Sequence, residues 1–357
     1  MENTRVDSPE ASPPQEHTGR AFEEYYREVR DSTNDYNETV QAVVAFAAFV
    51  CHDTRNMRPG SEFGIGRRMR TSPANVVSPD EDVTPDIVTQ KSPNYGIAGE
   101  VKKQVSREPT RWHDPRDQLR KYDDNLVGWW TNPETVSHSD AVLLIHQTRG
   151  RAFARYLEQQ RLLDPRLVGE HSAIVEFNRA DEGQPYLFFR REWGQICDAE
   201  LAAKLDDGMS IPMERVVLSF PLKFYDSPPP VESLMLTLWA DSFAARANRA
   251  VSESLEDFIP ITVTVDDITS ELQRAYGSGA ISSDERSTEF PQRSWIREAL
   301  DAFVSSDFAV KEPGNDTYMI KYRSLSKDLL ERFARLQYER RPKEKPRAIQ
   351  LELLKNV

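Results

Sequence analysis

The stretch 83–122 constrains the fold of this chain more than any other. It contains two β-like runs separated by a turn rich in Pro, Asn and Gly, with Asp86 on the first run and Glu100 and Lys102 on the second. Side chains two residues apart on a strand point to the same face, so Glu100 and Lys102 share one surface. If the runs pair as a hairpin, Asp86 reaches that surface too.

Two carboxylates and one ammonium at one place suit a divalent metal ion and a water molecule activated beside it. Hard oxygen ligands favour Mg²⁺ over softer metals, and no cluster of His or Cys competes with that choice. A lysine two residues from a metal-binding glutamate can hold the nucleophilic water and stabilise developing negative charge. The pattern therefore indicates a metal site at which a water molecule is activated.

Composition sets the outer limits of this interpretation. A chain of 357 residues with 38% hydrophobic content is typical of a soluble globular protein with two domains, or one large domain with appendages. Its two cysteines, Cys51 and Cys197, are far apart and form no CxxC motif, which argues against a disulfide framework and a structural zinc site. The apolar segment Val40 to Cys51 is shorter than a membrane-spanning helix needs. We expect a cytoplasmic protein that does not contact membranes.

The charge distribution leaves a nucleic-acid ligand open. The formal net charge is −12, but the segment from Lys321 to Val357 contains eleven Lys or Arg residues against five Asp or Glu. A second basic cluster consists of Arg67, Arg68 and Arg70. Local basic patches of this kind bind phosphates even when the whole chain is acidic, so they modestly favour DNA or RNA as a partner.

The ordered residues Pro85-Asp86, Glu100-Val101-Lys102 and Gln118-xxx-Tyr122 resemble the PD-(D/E)xK nuclease superfamily, which has the restriction-endonuclease-like fold. The Gln-xxx-Tyr element resembles that of the RecB-like exonuclease branch. The resemblance implies that Asp86 and Glu100 bind Mg²⁺ or Mn²⁺ and that Lys102 positions and deprotonates the attacking water.

The same resemblance implies supporting roles for Gln118 and Tyr122, which are four residues apart and so share a helix face. Glu62, a carboxylate upstream of Asp86, is a further candidate metal ligand. A simple exposed glutamate in the first turn of a helix explains Glu62 equally well.

The rest of the N-terminal part predicts a mixed α/β core that extends to about residue 224. Periodic apolar residues and turn signals predict the following elements: helices Ala21–Arg30, Asn37–His52, Arg151–Leu163 and Val231–Ala247, a short helix or turn at 61–66, and strands Ala141–Ile145, Ala173–Phe177 and Tyr186–Arg190. Trp129, Trp130, Phe188 and Phe189 are interpreted as packing residues rather than base-stacking ones.

From about Ile259 the pattern changes to two helices, Ile268–Tyr276 and Gln292–Val304, followed by a hairpin around Pro313-Gly314-Asn315-Asp316. This order resembles the winged helix-turn-helix family. The resemblance implies that the second helix enters the major groove and the hairpin touches the DNA backbone. Many winged helices bind proteins instead, and this alternative stays open. The residues that would contact nucleic acid are Gln292, Arg293, Ser294, Arg297, Lys311, Lys321 and Arg323.

The sequence thus predicts an α/β protein: a restriction-endonuclease-like mixed sheet flanked by helices, plus a C-terminal winged-helix domain. The predicted boundaries are 1–19 for a disordered tail, 20–248 for the nuclease-like domain, 249–324 for the winged helix and 325–357 for a basic helical tail. The resemblance implies a Mg²⁺-dependent deoxyribonuclease in a prokaryotic defence or restriction setting. A non-catalytic DNA-binding or assembly protein, a nuclease subunit active only in a complex with protein partners, and a homodimer stay open.

Overall fold

The computed structural model of the chain describes most of residues 15–340. The described ranges are 15–53, 56–57, 62–73, 75, 77–102, 109–122, 126–130, 136–180, 186–212, 214, 222–250, 258–277, 288–323 and 328–340. Residues 1–14 and 341–357, which include most of the predicted tails, lie outside them. Within these ranges, none of the helices has the length and apolar character that crossing a bilayer requires.

The chain alternates between helices and strands, as expected for a mixed α/β protein. The helices are α1 Gln15–Cys51, α2 His113–Tyr122, α3 Gln147–Leu163, α4 Ala199–Asp207, α5 Val231–Thr237, α6 Ala244–Ala250, α7 Val265–Tyr276, α8 Arg293–Ser305 and α9 Leu329–Arg340. Short 3-10 turns occur at Pro109–Arg111 and Pro165–Leu167, and a π-helical turn at Leu238–Phe243 joins α5 to α6. The strands are β1 His52–Asp53, β2 Asn56–Met57, β3 Glu62–Ile65, β4 Met69–Arg70, β5 Asp82–Val83, β6 Ile87–Ser92, β7 Tyr95–Lys102, β8 His138–His146, β9 Ser172–Ala180, β10 Tyr186–Gly194, β11 Met209–Pro212, β12 Ile259–Thr264, β13 Ala309–Lys311 and β14 Thr317–Tyr322.

Seven strands form the main sheet in the order β11-β10-β9-β8-β7-β6-β3. The pairs β7–β8 and β8–β9 are parallel, whereas β3–β6, β6–β7, β9–β10 and β10–β11 are antiparallel. Strand β8 is buried from Ser139 to Ile145, as expected for a central strand covered on both faces. The predicted mixed sheet flanked by helices is therefore confirmed at this level.

Two local predictions were wrong near the N-terminus. The helices expected at Ala21–Arg30 and Asn37–His52 are one continuous helix, α1, because the polar link between them contains no Gly or Pro to end it. The short helix or turn expected at 61–66 is instead strand β3, which pairs antiparallel with β6. The apolar pair Phe63 and Ile65 on alternate positions, both buried, explains this pairing.

The described chain divides into two compact units. The unit that holds the main sheet comprises 33–229 and 264–296. A large apolar cluster in this unit includes Val88, Ala98, Leu119, Leu143 and Phe153, so strands β6, β7 and β8 contribute to the same core as helices α2 and α3. Packing of α2 against β7 and β8 positions the polar residues of α2 that are described below.

The other unit comprises 1–32, 230–263 and 297–357. Its aromatic core centres on Trp239, which packs against Phe243, Phe303, Phe308 and Phe333 at ring-centroid distances of 5.1–6.2 Å. Edge-to-face and tilted aromatic pairs of this kind add stability beyond the area that they bury.

The C-terminal elements occur where the sequence predicts them. Helix α7 begins after its N-cap Thr264, whose side chain accepts a hydrogen bond from the Asp267 amide, so the helix starts three residues before the predicted Ile268. Strands β13 and β14 form the predicted antiparallel hairpin. Strand β12, which was not predicted, joins them in the order β12-β14-β13. The unit boundary at residue 297 differs from the predicted winged-helix range of 249–324.

Candidate active site at the carboxylate cluster

The β6–β7 hairpin places Asp86 beside Glu100, as the sequence predicts. Ile87 pairs with Gly99 in this antiparallel hairpin, so Asp86, one residue before β6, lies opposite Glu100 on β7. The backbone amide of Val101 donates a hydrogen bond of 2.8 Å to Asp86 Oδ2 and fixes that carboxylate. Both acids are almost fully buried, with 3% exposure for Asp86 and 4% for Glu100.

Three side chains donate hydrogen bonds to Glu100. Lys102 Nζ lies 3.0 Å and Gln118 Nε2 lies 2.7 Å from Oε1, and the Tyr122 hydroxyl donates to Oε2 at 3.0 Å. Gln118 also donates to the Tyr122 hydroxyl at 3.2 Å. Helix α2 therefore presents Gln118 and Tyr122 to Glu100, and the structure brings these two residues, Glu100 and Lys102 together. Among the described residues, Oε2 accepts one side-chain hydrogen bond, and a carboxylate oxygen can accept about two, so Oε2 has room for a cation.

Asp226 supplies a third carboxylate that sequence reasoning missed. Its carboxyl group lies close enough to that of Asp86 to contribute to the raised pKa of Asp86. Asp226 follows Phe224, which is 2% exposed, and Tyr225, whose ring packs 5.0 Å from Tyr36. The Tyr225 amide also donates to the Tyr36 hydroxyl at 3.4 Å. These contacts anchor a loop that carries Asp226 to the cluster.

Burial and mutual repulsion make this cluster electrostatically unfavourable for free carboxylates. Burial, then the charges of Glu100 and Asp226, raises the pKa of Asp86 well above its ordinary value. Burial also raises the pKa of Glu100, although Lys102 and Tyr122 oppose this shift. Acids held this close favour either shared protons or a bound cation.

Lys102 is the partly solvent-accessible member of the cluster. Its side chain is 36% exposed, compared with 5% for that of Glu100. Burial by itself lowers the pKa of Lys102, but the charges of Glu100, Asp86 and Asp226 outweigh burial and the pKa is raised. The acids therefore favour the protonated form of Lys102, which can donate hydrogen bonds.

Glu62, the other predicted metal ligand, is not part of this cluster. It is an exposed residue of β3 and pairs with Gln90, which lies four residues beyond Asp86. With a rise of about 3.3 Å per residue, this register separates Glu62 from Asp86 by about 13 Å along the sheet. The prediction failed because β3 runs antiparallel to β6, so that its start lies at the far end of the hairpin.

The basic cluster at 67–70 is not a uniform phosphate-binding patch. Arg67 is only 2% exposed, donates from Nε to the Gly128 carbonyl at 2.8 Å and packs over the Trp130 ring at 3.9 Å. Its predicted nucleic-acid role is contradicted by this burial. Arg70 forms an ion pair of 3.0 Å with Asp80, and Arg68 is exposed.

Several residues expected to contact nucleic acid form ion pairs with acidic residues of their own unit. Arg293 pairs with Asp266 at 2.9 Å, Arg297 with Asp316 at 2.6 Å and Lys311 with Asp301 at 3.1 Å. The other expected contacts are Gln292, which is exposed before α8, Lys321 on β14, and Arg323, whose guanidinium lies 5.6 Å from the Phe308 ring centroid. The nucleic-acid role of these residues stays a prediction.

The aromatic residues considered for base stacking are largely packing residues. Trp129 is 1% exposed and donates to the Leu126 carbonyl at 2.7 Å, and Phe189 is fully buried. A Cβ at Gly96 would lie 2.1 Å from the Trp129 ring, so glycine is needed where the hairpin passes this ring.

Comparisons with protein-family models, with curated proteins and with solved structures found no match. Asp86, Glu100 and Asp226 supply hard oxygen donors of the kind that Mg²⁺ and Mn²⁺ prefer.

Proposed function

We propose that this protein is a nuclease that hydrolyses DNA phosphodiester bonds with the help of Mg²⁺ or Mn²⁺. The observation that carries the proposal is the convergence of three carboxylates, Asp86, Glu100 and Asp226, on one partly exposed lysine. The resemblance of Pro85-Asp86 and Glu100-Val101-Lys102 to the PD-(D/E)xK nucleases and the mixed sheet flanked by helices agree with this chemistry.

A divalent ion would be held by Asp86, Glu100 and Asp226, where it would offset phosphate charge and favour formation of hydroxide near neutral pH. Asp226 joins the other two acids from a segment without helix or strand, which the contacts of Phe224 and Tyr225 anchor.

The chain's own residues would perform the remaining tasks. Lys102 keeps its proton and would donate to a phosphate oxygen or to the attacking water, which stabilises charge in the transition state. Gln118 and Tyr122 hold the Glu100 carboxylate in one orientation. They are positioning residues, because each acts through Glu100.

A cleavage assay on plasmid and single-stranded DNA tests the proposal. We expect wild-type protein to cleave in Mg²⁺ or Mn²⁺ and to stop when EDTA is added. Lys102→Ala should lower the rate by about 100-fold or more, the usual effect of removing one transition-state donor. Lys204→Ala, on the exposed helix α4, is the matched control and should cleave normally. Metal-independent cleavage, or equal rates for both variants, would contradict the proposal.

Tyr122→Phe should weaken metal binding without removing a ligand. The substitution deletes only the hydroxyl that donates to Glu100 Oε2, so we expect metal affinity or activity to fall by about 10- to 100-fold, as for other outer-shell partners. The measurement is the Mg²⁺ concentration that gives half-maximal cleavage. Saturating Mg²⁺ should restore most of the rate, whereas a low rate at all Mg²⁺ concentrations would assign Tyr122 a different role.

A further inference from the structure

A second cluster of ligand-type side chains lies on the main sheet, away from the acids described above. Asp140 is on β8, His171 directly precedes β9, and Cys197 follows β10. One ligand atom from each residue lies within 4.8 Å of the other two, and Cys197 Sγ lies 3.2 Å from His171 Nδ1. The fold thus brings together three residues that are far apart in sequence.

Asp140 carries an unsatisfied buried oxygen at this cluster. The residue has 0% exposure, and its Oδ2 accepts hydrogen bonds from the Tyr95 hydroxyl and from the Cys197 amide, the latter at 2.9 Å. Its Oδ1 is buried and has no hydrogen-bond partner among the residues that the structure describes. A buried carboxylate oxygen without a partner is costly, so this atom points to a missing cation or donor.

We propose that Asp140, His171 and Cys197 form a transition-metal site that binds Zn²⁺. Oxygen, nitrogen and sulfur donors together are typical of zinc, whereas Mg²⁺ avoids thiolate ligands. Tetrahedral zinc with bonds of about 2.0–2.3 Å places its ligand atoms roughly 3.3–3.8 Å apart, close to the observed Sγ–Nδ1 separation. Cys197 is exposed, which leaves a fourth position accessible to water.

This site is independent of the proposed nuclease centre. Glu100 pairs with Leu143 on β8, and Asp140 lies three residues earlier on that strand, about 10 Å away along the chain. An odd separation on a strand also places Asp140 on the opposite face of the sheet from Leu143. A zinc ion there would link the ends of β8, β9 and β10 rather than touch the proposed DNA-cleaving residues.

Cobalt substitution tests the proposal on the full-length protein. Metal-free protein prepared with EDTA is titrated with Co²⁺ alone, and the near-ultraviolet thiolate-to-cobalt charge-transfer band is recorded. We expect the band in wild type, its displacement by Zn²⁺, and its loss in Cys197→Ser. His171→Ala should weaken Co²⁺ binding by more than about tenfold, because even outer-shell partners are worth that much.

Two controls separate this site from other effects. Cys51→Ser, which removes the chain's other cysteine, should keep the band. Asp86→Asn should keep it too, so failure of the nuclease proposal leaves this result unchanged. Absence of the band in wild type, or an unchanged band in Cys197→Ser, would overturn the zinc proposal. Cys197 is exposed, so the serine variant should fold normally.

Discussion

Asp226→Asn is expected to reduce metal-dependent DNA cleavage about a thousandfold, as is Asp86→Asn. A metal ion that offsets phosphate charge contributes several kcal/mol to the transition state, and each 1.36 kcal/mol is a factor of about ten in rate. Asparagine keeps the shape of aspartate but removes the negative charge that holds the ion. The measurement is the single-turnover cleavage rate at saturating Mg²⁺ for both variants and the wild type.

Glu62→Gln is the matched control for this experiment. Like the two aspartate substitutions, it replaces a carboxylate with an amide, at a residue that the sequence alone suggests as a metal ligand. Glu62, however, is exposed and lies about 13 Å from Asp86 along the sheet. We expect its cleavage rate to stay within about twofold of wild type, as surface substitutions away from special features have small effects. A thousandfold loss in Glu62→Gln, or a normal rate in Asp226→Asn, would exclude the assigned ligand set.

The hairpin and helix α2 could be predicted because their signals are local. The period-two pattern after Asp86, the turn and the Glu100–Lys102 spacing together specify one face of one hairpin. The spacing of Gln118 and Tyr122 specifies one face of one helix. The structure adds that this helix face packs against that hairpin face, which no local pattern contains.

Other parts of the site depend on long-range packing and could not be predicted. Asp226 follows Asp86 by 140 residues and lies on a loop, so no periodicity connects them. Glu62 was placed near Asp86 by proximity in sequence, whereas the antiparallel register moves it to the far end of β6. Arg67 appeared as part of a basic cluster, yet its guanidinium stacks on Trp130 in the interior.

The proposed zinc site also depends on long-range packing and could not be predicted from the sequence. Asp140, His171 and Cys197 form no spacing motif, and the two cysteines of the sequence argued against a structural zinc site. The group arises because β8 and β9 are parallel neighbours and β10 returns antiparallel beside β9. Strand topology therefore decides which ligand-type residues meet.

Asp86→Asn should stabilise the protein in EDTA and destabilise it, relative to wild type, in saturating Mg²⁺. Without a metal ion the buried Asp86 faces Glu100 and Asp226, and Lys102 is the cation that the described part of the chain places beside them. Removal of one charge should raise the free energy of unfolding at neutral pH by about 0.5–2 kcal/mol, the size of a typical stabilising substitution. Mg²⁺ should then raise the melting temperature of wild type more than that of the variant.

The pH dependence of this difference gives its physical test. The pKa of Asp86 is raised in the folded state, so between its ordinary value of 3.8 and the raised value the folded protein binds a proton that the unfolded chain does not. The stability that the Asp86 carboxyl group contributes to the wild type is therefore fully present below pH 3.8. It is lost as the pH rises through the pKa of Asp86 in the folded state. In EDTA the advantage of Asp86→Asn should shrink as pH falls through that window, as measured by thermal unfolding. A constant difference between the proteins at all pH values, or a variant less stable than wild type at neutral pH, would show that the acids do not repel one another as the geometry requires.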